Sequence, residues 1–242
     1  MQYKVTLIRL GHTQHLVDFN IIRKWKSDLF TVSGIECIDH LPNSDIEDGY
    51  LDVKYSKSKL KALISCPIES DYAVAIMPYR FEDNFYMHRI SDKCVVISLY
   101  GIADILKTDS ISVEHFIIKQ LYEICAIRHL INDLSSDDVY QFIHSDTRGC
   151  LFDLNGERSD ILYNTEQPIL CEECKSVFRK KQIQAETIST LEYELQKIKK
   201  PIALKVERWI KQYPLLSIAI SAFTAIILNI LANLLWEWIR FK

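Results

Sequence analysis

Two groups of residues in this chain have types and spacings that can do chemistry. The first runs His144-Ser-Asp-Thr-Arg-Gly-Cys150 and resumes at Cys171-Glu-Glu-Cys174. Two thiols at Cys-x-x-Cys can grip one metal ion from a tight turn, and sulfur with imidazole is a donor set that suits zinc. Cys150 can supply a third ligand and His144 a fourth. A closed Cys₃His set leaves no open coordination position, so a zinc ion held this way is structural. Gly149 and Gly156, on either side of Cys150, give the loop freedom to turn. The same thiols admit two other readings, a redox dithiol and plain unliganded cysteines. Against the redox reading, Cys171-x-x-Cys174 does not open a helix behind a thioredoxin-like strand. The other four cysteines, Cys37, Cys66, Cys94 and Cys125, lie in or near apolar runs and read as core filler.

The second group lies in the run Leu215 to Trp236, which carries no charge. Ser217, Ser221, Ala225, Asn229 and Asn233 recur there at every fourth position, with Leu, Ile and Phe on most other faces. At about 1.5 Å per residue the run is roughly 33 Å long, enough to cross a hydrocarbon core of about 30 Å. Tyr213, Trp236 and Trp238 sit at its ends, where amphipathic rings prefer the headgroups. Lys197, Lys199, Lys200, Lys205, Arg208 and Lys211 precede it, and only Arg240 and Lys242 follow. The positive-inside rule then predicts a single-pass protein of the inner (cytoplasmic) membrane, its N-terminal domain in the cytoplasm. Small and polar residues four apart let membrane helices approach and exchange hydrogen bonds, so the stripe predicts self-association, and a pore wall is one form of it. A plain anchor that tolerates two amides is the alternative.

These groups need elements to position them. Residues 176–214 are rich in Lys, Glu, Gln and Leu, with Ile183, Ile188, Leu191, Leu195 and Ile198 on one narrow stripe. They read as a helical linker, with Pro201 starting a second segment whose lysines lie along anionic headgroups. Residues 1–175 read as an α+β head with one mixed sheet. Its strands are Tyr3–Leu10, Phe30–Ile38, Asp71–Pro78 and Lys93–Tyr100; its helices are Gln14–Lys26, Lys57–Ser65 and Val113–Leu130. On the last of these, Phe116, Ile117, Leu121, Ile124 and Ile127 fall largely on one face. Residues 237–242 form a short tail. The formal net charge of −3 argues against general binding to nucleic acid. The N-terminus has no apolar core of signal-peptide length.

Together these features resemble the archaemetzincin metalloproteases: a sheet carrying Asp83-Asn84-Phe85, a long helix, Gly149-Cys150 and a closing Cys171-Glu-Glu-Cys174. The resemblance spans roughly residues 3 to 178. It implies a metzincin-like head with a zinc-knuckle-like loop and a structural zinc at the cysteine cluster. It also implies a catalytic zinc on a His-Glu-x-x-His helix, and here this chain departs. The long helix contains no such motif, and His115 and His129, fourteen residues apart, lie about 21 Å from each other along its axis. His12 and His15 have no evident partner ligand.

The expectation is therefore a membrane-anchored, catalytically inactive protease-like sensor or effector. Its head meets a cytoplasmic protein partner, and its tail helices form a homo-oligomer that perturbs membrane lipid. That layout resembles bacterial anti-phage (abortive-infection) effectors in architecture only. The alternatives are a membrane-tethered adaptor and a divergent zinc-dependent hydrolase, for which Glu123, Asp146 and Asp153 are the nearby acids.

Overall fold

The β-rich run near the N-terminus becomes β1 (Tyr3–Leu10), the strand around which the sheet is laid out. The computed structural model describes residues 2–46, 53–198, 206, 209, 210 and 213–240, divided into two compact units, Met1–Lys199 and Lys200–Lys242. In the first unit β2 (Phe30–Ile38), β4 (Tyr72–Met77), β6 (Met87–Arg89) and β7 (Cys94–Ser98) join β1 in the order β2-β1-β4-β7-β6. All neighbours are parallel except β6, which runs antiparallel to β7 at the edge. Short strands β3 (Lys54–Tyr55) and β5 (Arg80–Phe81) pair separately. The head is thus α+β with a mixed sheet.

Strands β4 and β7 are buried at every position, as parallel strands covered on both faces must be. Side chains of alternate parity feed two cores. Val5, Leu7, Val74, Ile76, Val95 and Ile97 meet one set of helices, and Ile8, Leu10, Ala73, Ala75 and Val96 meet Leu60 of α2 (Lys57–Leu63). The helix read over residues 14–26 is realised only as α1 (Phe19–Lys24), because the Asp18 carboxylate caps Asn20 N at 2.9 Å and fixes the start there. The next helix, α3 (Ile102–Thr108), leads to α4 (Val113–Leu130), which begins at Ser112, whose Oγ accepts from His115 N at 3.3 Å. Rather than showing one apolar face, α4 is buried without a break from Phe116 to Ile127. The sheet covers one side, and α1, α3, α5 (Ile161–Glu166) and α7 (Ala185–Leu195) cover others.

The stretch read as a linker from residue 176 behaves differently. Both α6 (Glu172–Lys180) and α7 close over the head, and Phe178, Ile188, Leu191, Leu195 and Ile198 are buried in its core. The narrow apolar stripe is a packing face of the head. It is accompanied by Glu194, 1 % exposed, which accepts from Ser27 Oγ (2.6 Å), Asp28 N (2.8 Å) and Tyr122 Oη (2.9 Å). The boundary expected at 175 therefore lies inside the first unit. Pro201 and the basic residues Lys199, Lys200, Lys205, Arg208 and Lys211 lie outside the described residues. Among the remaining cysteines Cys94 and Cys125 are buried and Cys66 half-buried, but Cys37 is exposed, because β2 is the other edge of the sheet.

In the second unit α8 (Pro214–Arg240) is long and apolar enough over Pro214–Asn233 to cross a membrane. It continues past Trp236, the end expected from the sequence, so the tail at 237–242 is helical as far as Arg240. Ser217 Oγ donates to Pro214 O (2.7 Å) and Ser221 Oγ to Ser217 O (2.9 Å), so both hydroxyls find partners in their own helix. Asn233 Nδ2 donates to Asn229 Oδ1 at 3.3 Å, one turn away.

Candidate metal centre and cleft

The cysteine loop is built by two short parallel bridges, His144 with Asp153 and Cys150 with Ile169. Backbone bonds hold both: His144 N to Phe152 O (2.9 Å) and Leu151 N to Ile169 O (2.8 Å). Gly149 turns the chain at φ +75°, where a Cβ would be strained. After Cys150 the left-handed position is taken by Asn155 (φ +54°) and not by Gly156, the glycine expected to serve there. The buried Asp153 carboxylate pulls the loop tight, its Oδ2 accepting from Arg148 N (2.9 Å) and Cys150 N (3.0 Å). Cys171 is the N-cap of α6 and Cys174 lies in its first turn, so the Cys-x-x-Cys does open a helix, contrary to the sequence expectation, but behind a single bridge at Ile169 and not behind a thioredoxin-like strand.

These elements bring His144, Cys150, Cys171 and Cys174 together, with all four ligand atoms within 4.8 Å of one another. His144 Nε2 is 3.1 Å from Cys174 Sγ and 3.2 Å from Cys171 Sγ, and the sulfurs of Cys150 and Cys174 are 3.8 Å apart. A tetrahedral ion about 2.3 Å from each sulfur and about 2.05 Å from nitrogen requires edges of roughly 3.8 Å (S–S) and 3.5 Å (S–N). The residues fit zinc, and the cluster is zinc-site-like, with three of its four members buried. Hydrogen bonding from Cys174 pulls the Cys150 thiol down to about 5, while the Cys174 thiol is raised by holding that shared proton beside Cys150. A zinc ion would be held by all four side chains and would supply folding energy here, with no site left for water.

A cavity of about 330 Å³ borders this loop at Asp153 and is lined otherwise by Tyr86, Met87, His88 and Arg89 of the edge-strand segment and by Glu123 of α4. Glu123, named from the sequence only as a candidate acid, is joined on α4 by two polar residues to which sequence reasoning assigned no role, Lys119 and Gln120. Lys119, Gln120 and Glu123 are buried on α4 at positions i, i+1 and i+4, the spacing of His-Glu-x-x-His. Lys119 Nζ lies 3.2 Å from Glu123 Oε2 and Arg89 Nη2 3.1 Å from Glu123 Oε1, with these side chains 0, 13 and 5 % exposed in the order Lys119, Arg89, Glu123. The signal was present in the sequence as three polar residues on an otherwise apolar helix.

Similarity to known proteins is confined to structure. No family model matches the sequence, and no curated protein matches it. Among solved structures, archaemetzincin from Methanopyrus kandleri superposes with a TM-score of 0.50 at 12 % identity, covering 76 % of this chain and 97 % of that one. The fold is archaemetzincin-like. Archaemetzincin from Archaeoglobus fulgidus is also matched, with a TM-score of 0.41 at 13 % identity, over 72 % of this chain and 99 % of that one.

The catalytic zinc of such a fold does not fit the residues on α4. A protonated lysine donates three hydrogen bonds and has no lone pair for a metal, and Glu123 is already engaged by two cations. His115 and His129 are held at the two ends of α4, against Trp25 and Tyr3 respectively, and burial lowers the pKa of both imidazoles. Among the described residues, the cysteine cluster is the one group close enough to hold an ion. His12 and His15 are exposed and belong to no such group. Of the acids named for a hydrolase, Asp146 is exposed and paired with Arg148 (2.7 Å). Glu123 and Asp153 both line the cavity, and burial raises the Asp153 carboxyl.

Proposed function

We propose that this chain is a membrane-anchored receptor whose archaemetzincin-like head recognises without hydrolysing, and whose α8 assembles to perturb the bilayer. The observation that carries the reading is the Lys119–Glu123–Arg89 cluster at the spacing a catalytic zinc would need. Metal-assisted hydrolysis requires an ion with an open position and a free carboxylate base, and this cluster offers neither. The cleft remains. Because β6 ends the sheet, its outer edge is free among the described strands to pair with an extended segment of a cytoplasmic protein. Hydrogen bonding in α8 supports assembly: the Asn229–Asn233 bond engages one donor and one acceptor, and each amide carries more of both. A recognition head on a self-associating membrane helix is the layout of an anti-phage effector of the inner membrane.

Two measurements test this. Full-length protein supplied with excess zinc should show no peptidase activity. Turnover that vanishes on Glu123→Gln or Asp153→Asn would instead favour a divergent hydrolase, a reading supported by the presence of both acids in one cavity. Asn229→Leu with Asn233→Leu should weaken cross-linking between helices, at about 0.6 kcal/mol per hydrogen bond, and abolish membrane depolarisation while leaving insertion intact. A double variant that assembles less but keeps full function would mark the protein as an adaptor.

A further inference from the structure

A second recess of the head, a groove of about 360 Å³, lies between α1 and the end of α7 and carries a concentration of cations. Arg23, Lys24, Lys26 and Lys197 line it, and Arg23, Lys24 and Lys26 are exposed. Among the described residues Arg23, Lys24 and Lys26 make no ion pair, whereas Lys197 lies 3.7 Å from Glu194. Two acids line the same groove. Glu194 is buried, bonded to Ser27, Tyr122 and the Asp28 backbone and paired with Lys197, which leaves Asp28 as the exposed acid facing Arg23, Lys24 and Lys26. In a chain of formal net charge −3 this is a local reversal of sign. Beside the cations Ile21 is 49 % exposed and Trp25 half-buried, an apolar edge set among basic residues.

The covalent structure adds an independent constraint. Lys197 is two residues from the end of the first unit, and residues 200–213 are all that separate that unit from Pro214. Fully extended at about 3.5 Å per residue, those residues span no more than roughly 50 Å. We propose that the α1–α7 groove is a docking face for anionic phospholipid headgroups, on which the head rests when α8 is in the bilayer. The proposal rests on the anchor reading of α8. Phosphate oxygens would take the donors of Arg23, Lys24 and Lys26, Ile21 would enter the headgroup layer, and the attraction would fall with salt.

Hydrogen exchange on the full chain in nanodiscs tests it. In discs with one-third phosphatidylglycerol, amides of residues 19–28 should exchange several-fold more slowly than in pure phosphatidylcholine. Arg23→Glu with Lys24→Glu and Lys26→Glu should abolish the difference while exchange in α4 stays unchanged, which controls for folding. Equal exchange in the two lipids, slowing that survives charge reversal, or the same slowing from soluble polyphosphate in phosphatidylcholine discs would each overturn the proposal. Carbonate extraction tests the anchor separately. A chain that is extracted loses the anchor reading, and the groove is then judged by cosedimentation with vesicles of the same two compositions.

Discussion

The cysteine cluster and the polar trio of α4 are both buried arrangements that interrupt an apolar core, and they settle their charge in opposite ways. Around His144 the converging groups are electron-pair donors, one imidazole nitrogen and the sulfurs of Cys150, Cys171 and Cys174. On α4 the carboxylate of Glu123 meets an ammonium and a guanidinium inside the protein. The first arrangement is incomplete without an external ion. The second carries its own cations and has no place for another. One fold thus contains a zinc-site-like cluster of donors and, on α4, a carboxylate already paired with two cations of the protein.

The largest effect should come from breaking the first arrangement. Structural zinc contributes folding energy on the order of 10 kcal/mol, comparable with the whole stability of a domain. Cys174→Ser should abolish the expected one zinc per chain in metal analysis and leave the head unfolded or aggregated. His144→Ala should lower zinc affinity with less damage. A Cys174→Ser head that stays folded without zinc would erase the contrast. A smaller loss should follow from unbalancing the second arrangement. Lys119→Met removes one partner of a buried pair, and such changes cost about 3 to 5 kcal/mol. Arg89 still faces Glu123, so the lower end of that range is expected in thermal unfolding, with zinc content unchanged. If the unmutated chain instead held a second zinc that Glu123→Gln removed, α4 would be a metal site after all.

Much of this fold can be read from residues alone. The buried strands β4 and β7 are unbroken apolar runs, α4 begins and ends where the periodicity places it, and the Cys-x-x-Cys pair finds both Cys150 and His144. Other features depend on distant partners. The stripe from Ile183 to Ile198 has the period of any amphipathic helix, and nothing local says whether it faces a partner helix or the head core. Glu194 looks like one more surface acid until Ser27, 167 residues away, is seen to donate to it. On a helix read as having one apolar face nothing marks Lys119 as buried, because α4 is covered by several elements only in the folded head. The spacing of Lys119, Gln120 and Glu123 becomes meaningful once burial singles them out.

The clamp at Glu194 also determines how the head would bear a load. Any pull along residues 200–213 enters the first unit at its last helix. There it meets the buried side chains of Leu195 and Ile198 and three hydrogen bonds from Ser27, Asp28 and Tyr122. Those bonds pass tension to the β1–β2 connection and, through Tyr122, directly into α4. Glu123, the next residue, lines the cleft. If α8 is anchored and the cleft is filled as proposed, a pull on the chain and a bound segment would act on adjacent residues of α4, Tyr122 and Glu123.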